Sequence, residues 1–234
     1  MASQPDPVVQ RRRLRTDLRA LRRKADKTQE QVAKAMDWST SKLLRIETGE
    51  VRAAPTDVRV LSLYYGASEK QVEQLVEMAR NARGDSWPDF KDVHQQASLN
   101  FFGYEAAASL MRIYHANLLP GLLQTEEYAY GTLTDTFGFD EEEVERRWEA
   151  RSRRQQVLDR DVPPEIFALL DEGVVRRQVA SPGIMRRQLE HLIELGQGDR
   201  LSIRVIPFSA GAHPGMSGPF TLLEFPDAQD DDVL

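Results

Sequence analysis

The sequence predicts two domains of different class: an all-α N-terminal domain of five helices over residues 11–83, and a mixed α/β (α+β) C-terminal domain over residues 100–234. Apolar residues recur at helical spacing throughout the first part, whereas helical segments alternate with short apolar runs in the second. The charge also changes sign between them. Residues 1–83 hold 17 Lys and Arg against 11 Asp and Glu, and residues 84–234 hold 14 against 26.

The chain begins with a polar segment that leads into the first helix. Residues 1–10 are short, polar and interrupted by two prolines, which predicts a disordered arm. The first helix is predicted from about Arg12 to Lys24, because leucines recur at the spacing of one helical face. These leucines are Leu14, Leu18 and Leu21.

The next two helices are predicted within Thr28 to Gly49, TQEQVAKAMDWSTSKLLRIETG. Thr28 with Gln31 fits a capping box, and Ser39 fits the N-cap of a second short helix that Gly49 ends. Two short helices joined by a tight turn form a helix-turn-helix, and the second presents polar and basic side chains outward. That arrangement places side chains in the major groove of DNA.

This segment resembles the λ-repressor-like, or XRE-type, helix-turn-helix family, whose usual pattern is S-Q-E-E-L-A-x-x-L-G-V-S-x-x-x-I-S-R-I-E-x-G. The residues in register are Gln29, Glu30, Ala33, Ser39, Arg45, Ile46, Glu47 and Gly49. Two positions depart from the pattern. Asp37 replaces a glycine, but Asp tolerates the left-handed conformation better than most residues. Trp38 replaces a small aliphatic residue and is expected to add buried area under the turn.

The resemblance implies a recognition helix over residues 39–47 and a set of DNA contacts. Lys42 and Arg45 are expected to donate to guanine O6 and N7, and Thr40 and Ser41 to bond a base or a phosphate. Phosphate contacts are expected from the start of the preceding helix, from the loop after the recognition helix, and from an arginine arm along the backbone or in the minor groove. The predicted DNA-binding residues are Gln29, Ser39, Thr40, Ser41, Lys42, Arg45, Arg52, Arg11, Arg12 and Arg13. For the arm arginines, a solvated helix start is an equal alternative.

Two more helices complete the first domain. Pro55 precedes a helix that Gly66 ends, and a fifth helix runs from Ser68 to about Arg83. Residues 84–99 are then predicted to be a linker.

The second domain is predicted to contain helices and strands in alternation. Thr125, Asp140 and Ser181 are helix N-caps. The helices are expected over about 100–109, from 125, over about 140–159 and over 181–196; the extended segments are expected over 110–118, 165–170, 201–205 and 220–225. The run 165–170 is apolar enough to suggest a buried strand.

A second resemblance covers most of residues 100–225. Its patterns are Tyr104-Glu105 followed by Ala108, PGLLQTEEYA at 120–129, RRQQVL at 153–158, LLDEGVVRR at 169–177, IMRRQLEHL at 184–192 and VIPFSAGAHPGMSGPFTLLEF at 205–225. They resemble the C-terminal domain that follows XRE-type domains in actinobacterial, antitoxin-like transcriptional regulators. The resemblance implies a regulatory, partner-binding domain, a small partner protein encoded nearby, and control of development or secondary metabolism. Members often continue for some tens of residues, so a truncated chain or a missing final strand is expected.

Several function classes are excluded by the sequence. Without cysteine there is no disulfide framework and no thiolate metal site. The four histidines, His94, His115, His191 and His213, have no H-E-x-x-H context, so no metal is expected. Pro219 stands where a nucleophile elbow needs glycine, and no dinucleotide or Walker motif occurs. Asp171 beside Glu172 fits a strand end or a helix cap better than an acid/base pair. We expect no enzyme, no cofactor, no signal peptide or membrane span, and a cytoplasmic, nucleoid-associated protein.

These observations predict a DNA-binding transcriptional repressor or activator that binds an inverted-repeat operator as a homodimer. The C-terminal domain is expected to dimerise and to bind the small partner protein. Two alternatives stay open: a ligand sensor, in which the loop 208–219 closes over a small molecule, and a protein-binding adaptor with little DNA binding. For that loop itself, an ordinary hairpin connection is the favoured interpretation.

Overall fold

The computed structural model of the chain describes residues 6–226 and 232–234. The chain divides into two compact units, and the boundary between them lies between Pro88 and Asp89. This division falls inside the predicted linker 84–99. The segment nevertheless carries structure of its own, since it contains a 3₁₀ turn at Pro88–Phe90 and the beginning of a helix at Gln96. None of the described helices combines the length and the hydropathy that a membrane span requires.

The first unit is all-α, as predicted, and its described part contains five α-helices. They are α1 (Pro7–Lys24), α2 (Gln29–Ala35), α3 (Thr40–Thr48), α4 (Pro55–Tyr64) and α5 (Glu69–Asn81). Each amphipathic helix contributes a few buried residues to one core. The core includes Leu14, Leu18, Val32, Leu43, Val58, Leu61, Val72, Leu75 and Val76.

The first helix begins earlier than the sequence analysis predicted. Asp6 caps it, with Oδ1 accepting from the Val8 N–H at 3.0 Å, and Pro7 occupies the first turn. Proline is favoured there because its missing N–H has no helical partner to lose. The prediction of disorder was therefore wrong for residues 7–10, where the proline marks a helix start. Residues 1–5 lie outside the described part of the chain.

The helix-turn-helix follows the predicted caps. Thr28 and Gln31 form the reciprocal capping box of α2, and the Ser39 Oγ accepts from the Lys42 N–H at 3.2 Å at the start of α3. Asp37 adopts a left-handed φ of 56° in the turn, and Gly49 a φ of 84° at the end of α3. Trp38 is half-buried against the core, as expected of a residue under the turn.

The second unit is built on a four-stranded mixed sheet. The strands are β1 (Leu110–His115), β2 (Glu165–Asp171), β3 (Leu201–Ile206) and β4 (Phe220–Glu224), in the spatial order β3-β2-β1-β4. The first three are parallel and β4 is antiparallel to β1. The helices are α6 (Gln96–Ala107), α7 (Glu126–Gly131), α8 (Glu141–Gln155), α9 (Glu172–Arg176) and α10 (Pro182–Leu195). The predicted mixed class is confirmed.

The helices of this unit cover one face of the sheet. Ile166, Ala168 and Leu170 of β2 are buried in a core with residues of the crossover helices, whereas Phe167 and Leu169 point to the opposite face and remain half-exposed. The prediction of a buried strand therefore holds for only one face of β2. Alternate residues of its apolar run point to opposite faces of the sheet, and only one set is buried. Two boundaries also moved, since β1 ends at His115 and α8 at Gln155, earlier than predicted.

Glutamine side chains hold the irregular segment between β1 and α7. The Gln155 Nε2 donates to the backbone oxygens of Gly121 and Gln124 at 2.9 and 2.7 Å. The fully buried Gln188 accepts from the Thr125 N–H at 2.7 Å and donates to the Leu123 oxygen at 2.8 Å. Buried backbone groups need such partners when no ladder supplies them. The patterns PGLLQT, RRQQVL and IMRRQLEHL thus meet in space.

Candidate nucleic-acid interface

The third helix is anchored on its inner side and presents the predicted residues on its outer side. Leu43 and Ile46 are buried in the core, whereas Thr40, Ser41 and Arg45 are exposed. Ser39 is different, because its hydroxyl already serves as the helix cap. The outer face of α3 therefore offers two small hydroxyls and a guanidinium to a groove.

Arg45 has the freest cationic group on this helix. Its Nε lies 3.4 Å from the Ser41 backbone oxygen, which leaves the rest of the guanidinium fork directed to solvent. Within residues 6–226 and 232–234 it has no carboxylate partner. A guanidinium without an intramolecular ion pair needs no rearrangement before it donates to a base edge.

Lys42 is held by two neighbours. Its Nζ lies 3.1 Å from the Asp57 Oδ2 and 3.6 Å above the centroid of the Trp38 ring. The unusual tryptophan of the turn thus packs against the lysine as well as against the core. Lys42 keeps its predicted place on the outer face, but a base contact would compete with the Asp57 carboxylate.

A buried carboxylate organises the inner side of the motif. Glu47 is 4 % exposed and accepts from Arg22 Nε and Nη2 at 2.7 and 2.9 Å, as well as from the Gln29 Nε2 at 2.7 Å. The hydrogen bond to Glu47 raises the pKa of Arg22. A buried carboxylate requires such donors because its charge is otherwise uncompensated. The phosphate contact expected of Gln29 stays a prediction, and in the structure its side-chain amide donates to Glu47.

The basic residues around α1 also differ from the prediction. Arg11, Arg12 and Arg13 lie within α1 instead of a free arm, and the Arg11 Nη1 donates to the backbone oxygens of Ala82 and Gly84 at 3.2 and 2.7 Å. The Arg52 Nη1 donates to the Arg83 oxygen at 2.6 Å, and its Nη2 pairs with Asp85. Arg11 and Arg52 thus tie chain segments of this unit together, because unpaired backbone oxygens at a helix end attract arginine donors.

Sequence reasoning missed the residues that brace the motif. Arg22 and Glu47 are 25 positions apart, and Arg15 donates from α1 to the Thr48 oxygen at 2.7 Å. The signal available was the position of Glu47, next to the inward Ile46 and one helical turn after the inward Leu43, which marks a carboxylate that needs a partner. The partner itself could be found only from the tertiary arrangement.

The polar residues singled out in the second unit have structural partners. Asp171 caps α9 by accepting from the Gly173 N–H at 2.8 Å, and Glu172 accepts from the Phe208 N–H at 2.6 Å, which confirms the cap interpretation. Burial lowers the pKa of His94 to about 4, and its ring packs edge-on against Phe102. Among residues 6–226 and 232–234, three or more His, Cys, Asp or Glu side chains nowhere gather as a metal site would require.

Comparison with known families gives two matches that divide the chain as the structure does. A model described as a helix-turn-helix domain matches residues 13–75, and one described as a domain of unknown function (DUF5753) matches residues 99–234, more than half of the chain. The chain belongs to the DUF5753 family. No curated protein and no solved structure matches it. The helix-turn-helix match supports a DNA-binding regulator, whereas DUF5753 membership carries no activity with it.

Proposed function

We propose that this protein is a sequence-specific regulator of transcription that inserts the predicted recognition helix, residues 39–47 and thus most of α3 with its cap, into the major groove of double-stranded DNA. The observation that carries the proposal is the division of α3 into an anchored inner side and an outer side that bears Arg45. Leu43 and Ile46 fix the helix, so the guanidinium is presented by a rigid element.

In this proposal the residues of α3 have different roles. Arg45 reads a guanine through O6 and N7, and Thr40 and Ser41 bond a base or a phosphate. Lys42 contributes once it exchanges Asp57 for a base or a phosphate. The backbone N–H groups at Gln29 and Ser39 meet phosphates, and Arg12 and Arg13 do so from the side of α1 rather than from an arm.

The test begins with an operator selected from random double-stranded DNA by the full chain. Arg45→Ala is expected to weaken binding to that operator by about 1–3 kcal/mol, and to weaken binding to random DNA much less. Arg186→Ala is the control, because Arg186 lies on α10, its side chain is 80 % exposed and its partner is Glu190, one turn away on the same helix. Unchanged operator affinity in Arg45→Ala would refute the assignment of α3.

We also propose that the protein binds an inverted repeat as a homodimer through its second domain. The half-exposed Phe167, Leu169 and Phe220 share the sheet face that the helices leave uncovered, and an apolar face of this kind is typical of protein contacts. Phe167→Glu should turn a dimer into a monomer in light scattering. A dimer that survives this substitution would place the interface elsewhere.

The antitoxin-like role is a further part of the proposal and rests on the family resemblance. In this role the second domain binds a small protein encoded nearby and has neither catalytic activity nor a cofactor. The regulator acts in the cytoplasm, on the nucleoid. Co-expression with the product of the adjacent small gene tests it. A complex should survive gel filtration, and two separate peaks would count against the partner.

A further inference from the structure

We propose that the second domain binds a small oxyanion, a carboxylate or a phosphate group, at Arg151 on the inner side of α8. The inference does not depend on DNA binding, and it supplies a ligand class for the sensor alternative. It rests on three arginines of α8 and on the carboxylates that accompany them.

Three arginines lie on the inner side of α8, at spacings of four and three residues. Arg147 donates through Nε and Nη2 to the Glu143 Oε1 at 3.0 and 2.6 Å. Arg154 donates to both carboxylate oxygens of the buried Glu105, at 2.8 and 2.9 Å. Two of the three cations are therefore balanced by a carboxylate each.

Arg151 is the one of these three arginines that has no carboxylate partner in the described part of the chain. Its Nη1 donates to the neutral amide oxygen of Gln124 at 2.6 Å, and within residues 6–226 and 232–234 it has no ion pair. Its Nε is buried and has no hydrogen-bond partner. A buried guanidinium with an unused donor and no counter-charge is unfavourable, and such groups in native structures are normally paired.

The surroundings of Arg151 add to the positive charge. Burial and the neighbouring Arg154 and Arg147 lower the pKa of Arg151 to about 10, so the group is still charged at neutral pH. Burial is the main cause of the lowered pKa of His94, and the charges of all three arginines add to it. One excess positive charge is thus held on the inner side of α8.

The fixed planar geometry of the guanidinium determines which class of ligand it binds. Its planar fork matches carboxylates and phosphates through two parallel hydrogen bonds. Gly121 faces the same place, since a Cβ there would lie 3.4 Å from the Arg154 Nη1 and 3.5 Å from the Arg151 Nε. With a glycine in this position, no Cβ occupies the space beside the Nε.

The test follows the arginine Nε–H signals of the full chain by NMR, during titrations with inorganic phosphate and with acetate at constant ionic strength. Arg151→Lys identifies the Arg151 signal by its loss. We expect that signal to shift saturably, while the exposed Arg186 shifts little and Arg45→Ala leaves the titration unchanged. Saturation with either anion supports the site, and the stronger of the two names the ligand group.

Two variants keep the proposal falsifiable. Arg151→Met should abolish the rise of the melting temperature that the anion causes, and Gly121→Ala should weaken anion binding about tenfold while its melting temperature without anion stays near that of the wild type. The inference is overturned if the Arg151 signal drifts linearly like that of Arg186. It is equally overturned if the melting temperature of Arg151→Met rises with anion as in the wild type.

Discussion

Replacement of Arg22 by Met should destabilise the first unit strongly, because it leaves Glu47 buried without its cation. The carboxylate is 4 % exposed and takes two of its three side-chain hydrogen bonds from Arg22, whose own side chain is 13 % exposed. Removal of one partner of a buried pair costs about 3–5 kcal/mol. The third bond, from Gln29, persists, so we expect about 3 kcal/mol for Arg22→Met.

A double-mutant cycle separates this cost from the net contribution of the pair. Glu47→Leu should also destabilise, since it leaves the largely buried guanidinium of Arg22 without its carboxylate. Arg22→Met combined with Glu47→Leu should nevertheless be more stable than Arg22→Met alone. The coupling free energy expected from the bidentate geometry is about 2–3 kcal/mol.

The assay is urea unfolding followed by the fluorescence of Trp38, in a background where Trp87 and Trp148 are replaced by Phe. Trp38 packs against the core of the first unit, so its signal reports on the helix-turn-helix. Additive effects of the two substitutions, or a loss below about 1 kcal/mol in Arg22→Met, would refute the reasoning that the pair braces the motif.

Three further predictions concern charge, pH and buried amides. Asp57→Asn should release Lys42 and tighten DNA binding, with a steeper dependence on salt in anisotropy titrations. The folded pKa of His94, about 4, lies below its ordinary value of 6.5, so unfolded chains bind more protons between these values and stability should fall by about 1–2 kcal/mol as pH drops through that window. His94→Gln should flatten this dependence in pH-resolved melting curves. Gln188→Leu should cost about 2–4 kcal/mol in denaturant unfolding, because it leaves the Thr125 N–H and the Leu123 oxygen without partners.

Each of these predictions has an outcome that would contradict it. Weaker DNA binding in Asp57→Asn would mean that Asp57 positions Lys42 for the groove. An unchanged pH profile in His94→Gln would place the titration elsewhere. For Gln188, the exposed Gln178 gives the matched control, and equal stability of Gln178→Leu and Gln188→Leu would show that the segment finds other partners.

Local signals in the sequence predicted the helices well. Thr28, Ser39, Thr125, Asp140 and Ser181 each cap the helix that they were expected to cap. A cap acts through a side chain and a backbone N–H two or three residues away. It can therefore be recognised from a short stretch of sequence. The start of α1 was missed because Pro7 was read as a sign of disorder, although proline is also typical of a first helical turn.

Partners distant in sequence could not be predicted in the same way. Arg11, Arg52 and Gln29 are predicted to contact DNA phosphates, and nothing in the sequence indicated that each also has an intramolecular acceptor from a segment far along the chain. Arg45 and the outer hydroxyls of α3 follow helical periodicity alone, so the structure places them where the sequence did. The residues on the outer face of α3 could therefore be predicted from the sequence, whereas these long-range hydrogen bonds could not.

The measurement that tests the central claim most directly is a double-mutant cycle between Arg45 and the guanine that it is proposed to read. The selected operator is prepared with 7-deazaguanine at each guanine in turn, which removes the N7 acceptor and leaves base pairing intact. The proposed contact predicts one position where the analogue weakens wild-type binding by about 1–3 kcal/mol and does not weaken binding of Arg45→Ala. Additive losses at every position would contradict the claim that Arg45 on α3 reads the operator.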